Sequence, residues 1–170
     1  MYVKQGGFID DIDMFDAKYF KVSPSEARKM DPQQRHLLEV STEALSRAGF
    51  GREVLAGSNT GVFVGATHDG FFNMSTTGAL STYSGTGSMS IAITANRISY
   101  ALGLEGPSVA MDTACSSGLV VVNAACNALI FGECDMAVAA ASNMLIDPMT
   151  YVATSKAQML SRDGRCKSFD

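Results

Sequence analysis

Apolar residues fall along this chain in two kinds of pattern, short unbroken runs and longer stripes with helical spacing. The runs Gly61-Val62-Phe63-Val64-Gly65, Val109-Ala110-Met111 and Met136 to Ala141 are bounded by glycine or polar turns. They predict buried strands, because a strand covered on both faces reads as a continuous apolar run. The stripes predict helices. Leu37, Leu38, Ser41, Ala44, Leu45 and Ala48 share one face after Asp31-Pro32, with Arg35, Glu39, Glu43 and Arg47 turned outward and Gly49 as the stop. Ile91, Ala95, Ile98 and Leu102 mark a second helix over Ser90 to Leu102, whose single charge, Arg97, predicts that most of its surface is covered.

A third helix, Leu119 to Phe131, is apolar on nearly every side and predicts a position in the middle of a domain. It lies between two predicted strands, an order that implies a parallel βαβ unit with the helix covered on both faces. Ser23-Pro24-Ser25-Glu26 reads as a capping box opening a short helix that ends near Met30. Residues 7–20 mix aromatics with Asp10, Asp11, Asp13 and Asp16 without a period, and are read as a loop that lays aromatics on the core.

Composition narrows the class. At 170 residues with 46% hydrophobic and 18% charged side chains, the chain suits one α/β domain with a real core. A net charge of −4 argues against nucleic acid or an anionic membrane surface as partner. Cys115, Cys126, Cys134 and Cys166 form no Cys-x-x-Cys pair, which removes support for a zinc knuckle or redox motif. No residue from Thr113 to Gly132 is charged, yet Ser116, Ser117, Asn123 and Asn127 make this a buried helix rather than a membrane span. Lacking a signal sequence at Met1 to Phe8, the chain is expected in a reducing, cytoplasmic compartment.

Candidate chemistry centres on Cys115, where a strand meets a helix start. Unpaired backbone N–H groups and the positive helix end favour a thiolate, the reactive form of cysteine, and can hold an oxyanion on a carbonyl the sulfur attacks. A lone cysteine before an apolar helix is more commonly an inert core residue, and spacing alone leaves both readings open. His36 reads as a packed or surface helix histidine. His68 sits in a polar, glycine-rich segment, and no spacing brings it to Cys115. Gly85-Thr86-Gly87 is not a dinucleotide fingerprint.

The string Asp112-Thr113-Ala114-Cys115-Ser116-Ser117-Gly118-Leu119 resembles the active-site motif of β-ketoacyl synthases. Met30-Asp31-Pro32-Gln33-Gln34-Arg35, Ala95 to Tyr100, Glu105 to Ser108 and Asp163 to Asp170 resemble further landmarks of that family in its order. The likeness is greatest to ketosynthase domains of large multidomain polyketide synthases, with fatty acid synthases sharing most strings. It implies the thiolase-like fold, two similar layered α/β halves, with residues 1–170 as the N-terminal part around a buried nucleophile helix. The first strand and the C-terminal half, with two catalytic histidines and a lysine, are expected outside these residues.

The resemblance also implies that Cys115 accepts an acyl group from acyl carrier protein, ahead of decarboxylative Claisen condensation with a malonyl thioester. No cofactor or metal is expected to bind directly, because the substrates ride on the carrier protein's phosphopantetheine. A homodimer is expected. The isolated chain is expected to be inactive in condensation and to expose apolar area. The alternatives are a non-catalytic ketosynthase-like partner for dimerisation or chain length, and a relative of thiolase or chalcone synthase acting on coenzyme A thioesters.

Overall fold

The computed structural model describes residues 1–67, 70–71 and 90–169. His68, Phe72 and the Gly85-Thr86-Gly87 triplet lie outside the described residues. The chain forms α1 (Pro24–Ala27), α2 (Pro32–Arg47), α3 (Arg52–Leu55), β1 (Thr60–Ala66), α4 (Ile91–Leu102), β2 (Ser108–Met111), a 3₁₀ turn (Ala114–Ser116), α5 (Ser117–Ile130), β3 (Met136–Ser142) and α6 (Pro148–Lys156).

All three apolar runs are strands, and they make one parallel sheet in the order β2-β1-β3. β2 and β3 are parallel as predicted, but they are not neighbours. β1 lies between them, pairing Val64 with Ala110 on one side and with Ala140 on the other. The crossover through α5 therefore spans the central strand, and β1 is buried along its whole length. β2 and β3, predicted buried, are only half-buried as edge strands of these residues, with Ala139 and Ala141 exposed.

Strand alternation sorts the core into two clusters. Val62, Val64 and Ala66 face Leu37, Leu38, Ala95, Ile98 and Leu102 of α2 and α4. Phe63 points the other way, among Val121, Ala125 and Ala128 of α5 and the buried Cys134. The result is a three-layer α/β arrangement. Gly61 and Gly65 flank Phe63 on the α5 side, where an added Cβ would strike the Phe63 ring and Ser117 respectively.

Several local expectations need correction. α1 ends at Ala27 rather than near Met30, and only half of its capping box is made. Ser23 Oγ accepts from the Glu26 N–H at 3.2 Å, but the Glu26 carboxylate turns to Arg97 Nη1 at 2.7 Å instead of back to its own helix. In α2, Ala44 and Ala48 are exposed, although Leu45 between them is buried. Arg35, predicted outward, is half-buried and donates from Nη1 to the Asp13 carbonyl. Burial lowers its guanidinium pKa, with nearby Asp31, Asp13 and Glu39 opposing.

α4 is less covered than its composition suggests, with Tyr100 92% exposed. In the 7–20 segment only part of the aromatic set reaches the core. Phe20 is buried and stacks on Phe15 at 5.3 Å, whereas Phe8 and Met14 face outward. α5 is covered along the Val121, Ala125 and Ala128 side, while Leu119, Ile130 and Phe131 are 80%, 76% and 74% exposed. That exposed apolar face is the one expected of these residues taken alone.

Candidate active site

Parallel α/β sheets present their ligand sites beyond the carboxyl ends of the strands, and here that edge carries Cys115. β2 ends at Met111, and Asp112 reverses the chain by accepting from the Ala114 N–H through Oδ1 at 2.9 Å. This is an Asx turn. Ala114 adopts φ 55°, a left-handed conformation that costs an L-residue of this type on the order of 1 kcal/mol. Such strain persists only when the surroundings over-determine it.

The surroundings are hydroxyl groups. Ser117 Oγ accepts from the Thr113 N–H at 2.9 Å and donates to the Ala114 carbonyl at 2.8 Å. Ser116 Oγ donates to the Thr113 carbonyl at 2.8 Å and lies 2.9 Å from its Oγ1. Cys115 sits at the middle of the 3₁₀ turn, one residue ahead of Ser116, the N-cap of α5. It is exposed, whereas Cys134 is buried in the core. Cys126 and Cys166 are exposed as well, so among the four it is the turn geometry, and not exposure, that sets Cys115 apart. The helix start predicted at the cysteine is a tighter turn that runs into the α-helix at Ser117.

The floor under this turn is backbone against backbone. At Gly65 a Cβ would lie 3.0 Å from the Ser117 carbonyl carbon, oxygen and Cβ. On the next strand, a Cβ at Gly118 would meet Ala141 Cβ at 3.7 Å. The first turn of α5 thus rests on the ends of β1 and β3. Neither Gly65 nor the supporting residues Asp112, Thr113 and Ser117 stood out as functional by residue type, although Asp, Ser and Thr before a helix are turn and cap signals.

His36 belongs to α2, on the opposite face of the sheet from α5. Its Nε2 is buried without a hydrogen-bond partner among the described residues, at a cavity of about 310 Å³ lined also by Leu37, Val40, Ala141 and Met144. It is a packed histidine and is not brought to Cys115. Near the end of the described chain, Asp163 binds Lys167 Nζ, Ser161 Oγ and the Arg165 N–H, which together hold its carboxyl well below the usual carboxylate range. Among the described residues no three His, Cys, Asp or Glu side chains cluster as metal ligands, and no helix is long and apolar enough to cross a membrane.

Fold and site together define a layered α/β domain that holds an exposed thiol on a strained, hydroxyl-pinned turn at the carboxyl edge of a parallel sheet. The chain belongs to the β-ketoacyl synthase family: residues 1–170 match the model described as beta-ketoacyl synthase, N-terminal domain. It is 46% identical over 168 residues to a phenolphthiocerol synthesis polyketide synthase type I of Mycobacterium bovis, covering 99% of this chain and 8% of that protein. It is 44% identical over 173 residues to the PKS-NRPS hybrid synthetase acdB of Aspergillus candidus, covering 99% of this chain and 7% of that one.

Solved structures agree on the fold. The ketosynthase from module 6 of the bacillaene synthase of Bacillus subtilis 168 superposes with a TM-score of 0.86 at 39% identity, over 98% of this chain and 28% of that one. The oxazolomycin ketosynthase domain OzmH KS7 of Streptomyces albus JA3453 gives 0.87 at 40% identity, over 99% of this chain and 30% of that one. The fold is thiolase-like, as in ketosynthase domains of polyketide synthases. The chain spans less than a tenth of the two named synthases and under a third of these ketosynthase chains.

Proposed function

We propose that this chain is the N-terminal half of a ketosynthase domain and that Cys115 is its acyl-accepting nucleophile. One observation carries the reading: an exposed thiol fixed on a turn whose strain is held by Asp112, Thr113 and Ser117 at the carboxyl edge of the sheet. The Cys115 sulfur attacks the carbonyl carbon of an acyl thioester carried on the phosphopantetheine of acyl carrier protein. Backbone N–H groups of the turn, including that of Cys115, serve as oxyanion donors for the tetrahedral intermediate. Collapse breaks the carrier thioester bond, leaves the acyl group on Cys115 and returns a proton to the phosphopantetheine thiol.

The acyl-cysteine is then the electrophile for the carbanion released when a malonyl thioester loses carbon dioxide. No residue of this chain is assigned to decarboxylation, and the groups that promote it are placed by this reading in the remaining part of the domain, of which the chain covers under a third. The exposed Leu119, Ile130 and Phe131 call for cover from that part or from a second subunit, in keeping with a homodimeric parent.

The test is labelling of the full-length parent with an acyl thioester mimic or an alkylating epoxide, followed by peptide mapping, with Cys115→Ala as control. Selective modification of Cys115 over Cys126, Cys134 and Cys166 is expected. Equal or absent labelling of Cys115 in a folded parent would overturn the reading and leave a non-catalytic ketosynthase-like partner in its place.

A further inference from the structure

The β1 and β3 ladder stops at Ala66 and Ser142, where the two strands part. Beyond that point the Thr67 carbonyl and the Met144 N–H have no strand neighbour among the described residues, and each needs another partner. One side chain supplies both. Gln33, fully buried at 0% exposure in the first turn of α2, donates from Nε2 to the Thr67 carbonyl at 2.9 Å. Its Oε1 accepts from the Met144 N–H and from Ser142 Oγ, both at 3.2 Å. The side chain is anchored from below, because the Gln33 N–H itself donates to the Asp31 cap at 2.8 Å.

These strand ends are the floor of the cysteine turn. Gly65, two residues before Thr67, meets Ser117, and Ala141, next to Ser142, meets Gly118. We propose that Gln33 is a positioning residue for Cys115: by tying the ends of β1 and β3 together from the opposite face of the sheet, it fixes the surface on which the start of α5 rests. The proposal rests on the acyl-acceptor reading of Cys115. Gln33 touches no reacting atom. It acts through Thr67, Ser142 and Met144 on the height and tilt of the turn, where a displacement of about 1 Å is enough to slow a reaction roughly a hundredfold.

The amide is needed as donor and acceptor at once, which makes Gln33→Glu diagnostic. A protonated carboxyl reproduces both roles, whereas a carboxylate cannot donate to Thr67 and faces that carbonyl with a charge. Burial raises a carboxyl pKa, so the protonated, competent form exists below the raised value and is lost as pH climbs through it.

The experiment uses the full-length parent and a soluble acyl thioester, with single-turnover acylation of Cys115 followed by intact mass from pH 5.5 to 8.5. Melting temperatures taken alongside correct each rate to folded protein. For Q33E the rate relative to parent is expected within about threefold at the acid end and about tenfold or more lower at the alkaline end. A ratio flat with pH, at or below the parental rate, overturns the proposal, since a merely structural residue changes only the folded fraction. Should Q33E fail to fold, Ser142→Ala takes its place by removing one bond to Gln33 Oε1. It is expected to slow acylation per folded molecule by about two- to fivefold, and an unchanged rate overturns the proposal. If the parent itself is not acylated on Cys115, the acyl-acceptor reading falls and takes this one with it.

Discussion

Gly65→Ala places one methyl group in the contact that seats the cysteine turn. Its Cβ would lie 3.0 Å from three atoms of Ser117, two of them backbone, where ordinary contact begins at 3.4 Å. A separation of about 0.4 Å is therefore needed, and the strand has little freedom to supply it. Gly65 pairs with Met111 on one side and Ala141 on the other, in the central strand. The start of α5 must move instead. Overpacking of this kind costs about 1–3 kcal/mol, and replacing a strand glycine returns about 0.5–1 kcal/mol, so the net loss is between about 0 and 2.5 kcal/mol, centred near 1. Because the chain is under a third of a ketosynthase domain and unfolding entropy grows with length, that corresponds to a fall of up to roughly 2 °C in Tm of the parent. Because Cys115 is carried on the displaced turn, single-turnover acylation is expected to slow by about tenfold. Gly118→Ala is the control on the same contact. Its Cβ meets only Ala141 at 3.7 Å, and alanine suits a helix better than glycine, so Tm is expected unchanged or raised. Differential scanning fluorimetry and intact mass on the full-length parent read both quantities. If G65A keeps the parental Tm and acylation rate, the close approach does not set the position of the turn and the reasoning fails.

Two further substitutions separate the turn from the scaffold. Ser117→Ala removes the acceptor of the Thr113 N–H and the donor to the Ala114 carbonyl in a buried position, and is expected to cost about 1–2 kcal/mol with several-fold slower acylation but unchanged helix content by circular dichroism. Arg97→Ala breaks the 2.9 Å bond from Nε to the buried Gln34 Oε1 and the ion pair with Glu26. Because Glu26 is a third exposed, its charge contributes little, and the total is expected at about 1–3 kcal/mol in chemical denaturation. Arg97→Lys keeps the charge but loses the forked geometry, so it is expected to recover less than half of that loss. Acylation per folded molecule is expected to stay parental in both Arg97 variants, since the Arg97 hydrogen bonds run to Gln34 and Glu26 and not to Gln33 or to the strand ends that seat the cysteine turn.

Although only β1 is covered on both faces, while β2 is half-buried and β3 exposes Ala139 and Ala141, the strands were legible as unbroken apolar runs whatever their order. Their order was not. That β1 inserts between β2 and β3 depends on contacts between distant segments, and no local pattern records it. The same limit explains Glu26. Its spacing from Ser23 satisfies a capping box, yet Arg97, 71 residues away, offers a charged partner that the helix terminus cannot match. Ala44 and Ala48 follow the helical period without being buried, because a periodic stripe shows which side faces the core and not which positions on it a neighbouring segment covers.

At the site, residue type made Cys115 visible and hid what holds it. Gln33 falls on the same stripe as Leu37, Ser41 and Leu45, at spacings of four, so the period carried back one turn places it on the buried face of α2. A glutamine there cannot be packing filler, since a buried amide has to satisfy a donor and an acceptor or lose about 1–3 kcal/mol for each left unmade. A polar side chain on an apolar stripe therefore marks a place where backbone groups lack partners. In this chain that place is the parting of β1 and β3, directly beneath the start of the helix that follows Cys115. The signal was present in the periodicity. What could not be read from it was which backbone groups are orphaned, because that depends on the register at which two strands more than seventy residues apart stop pairing.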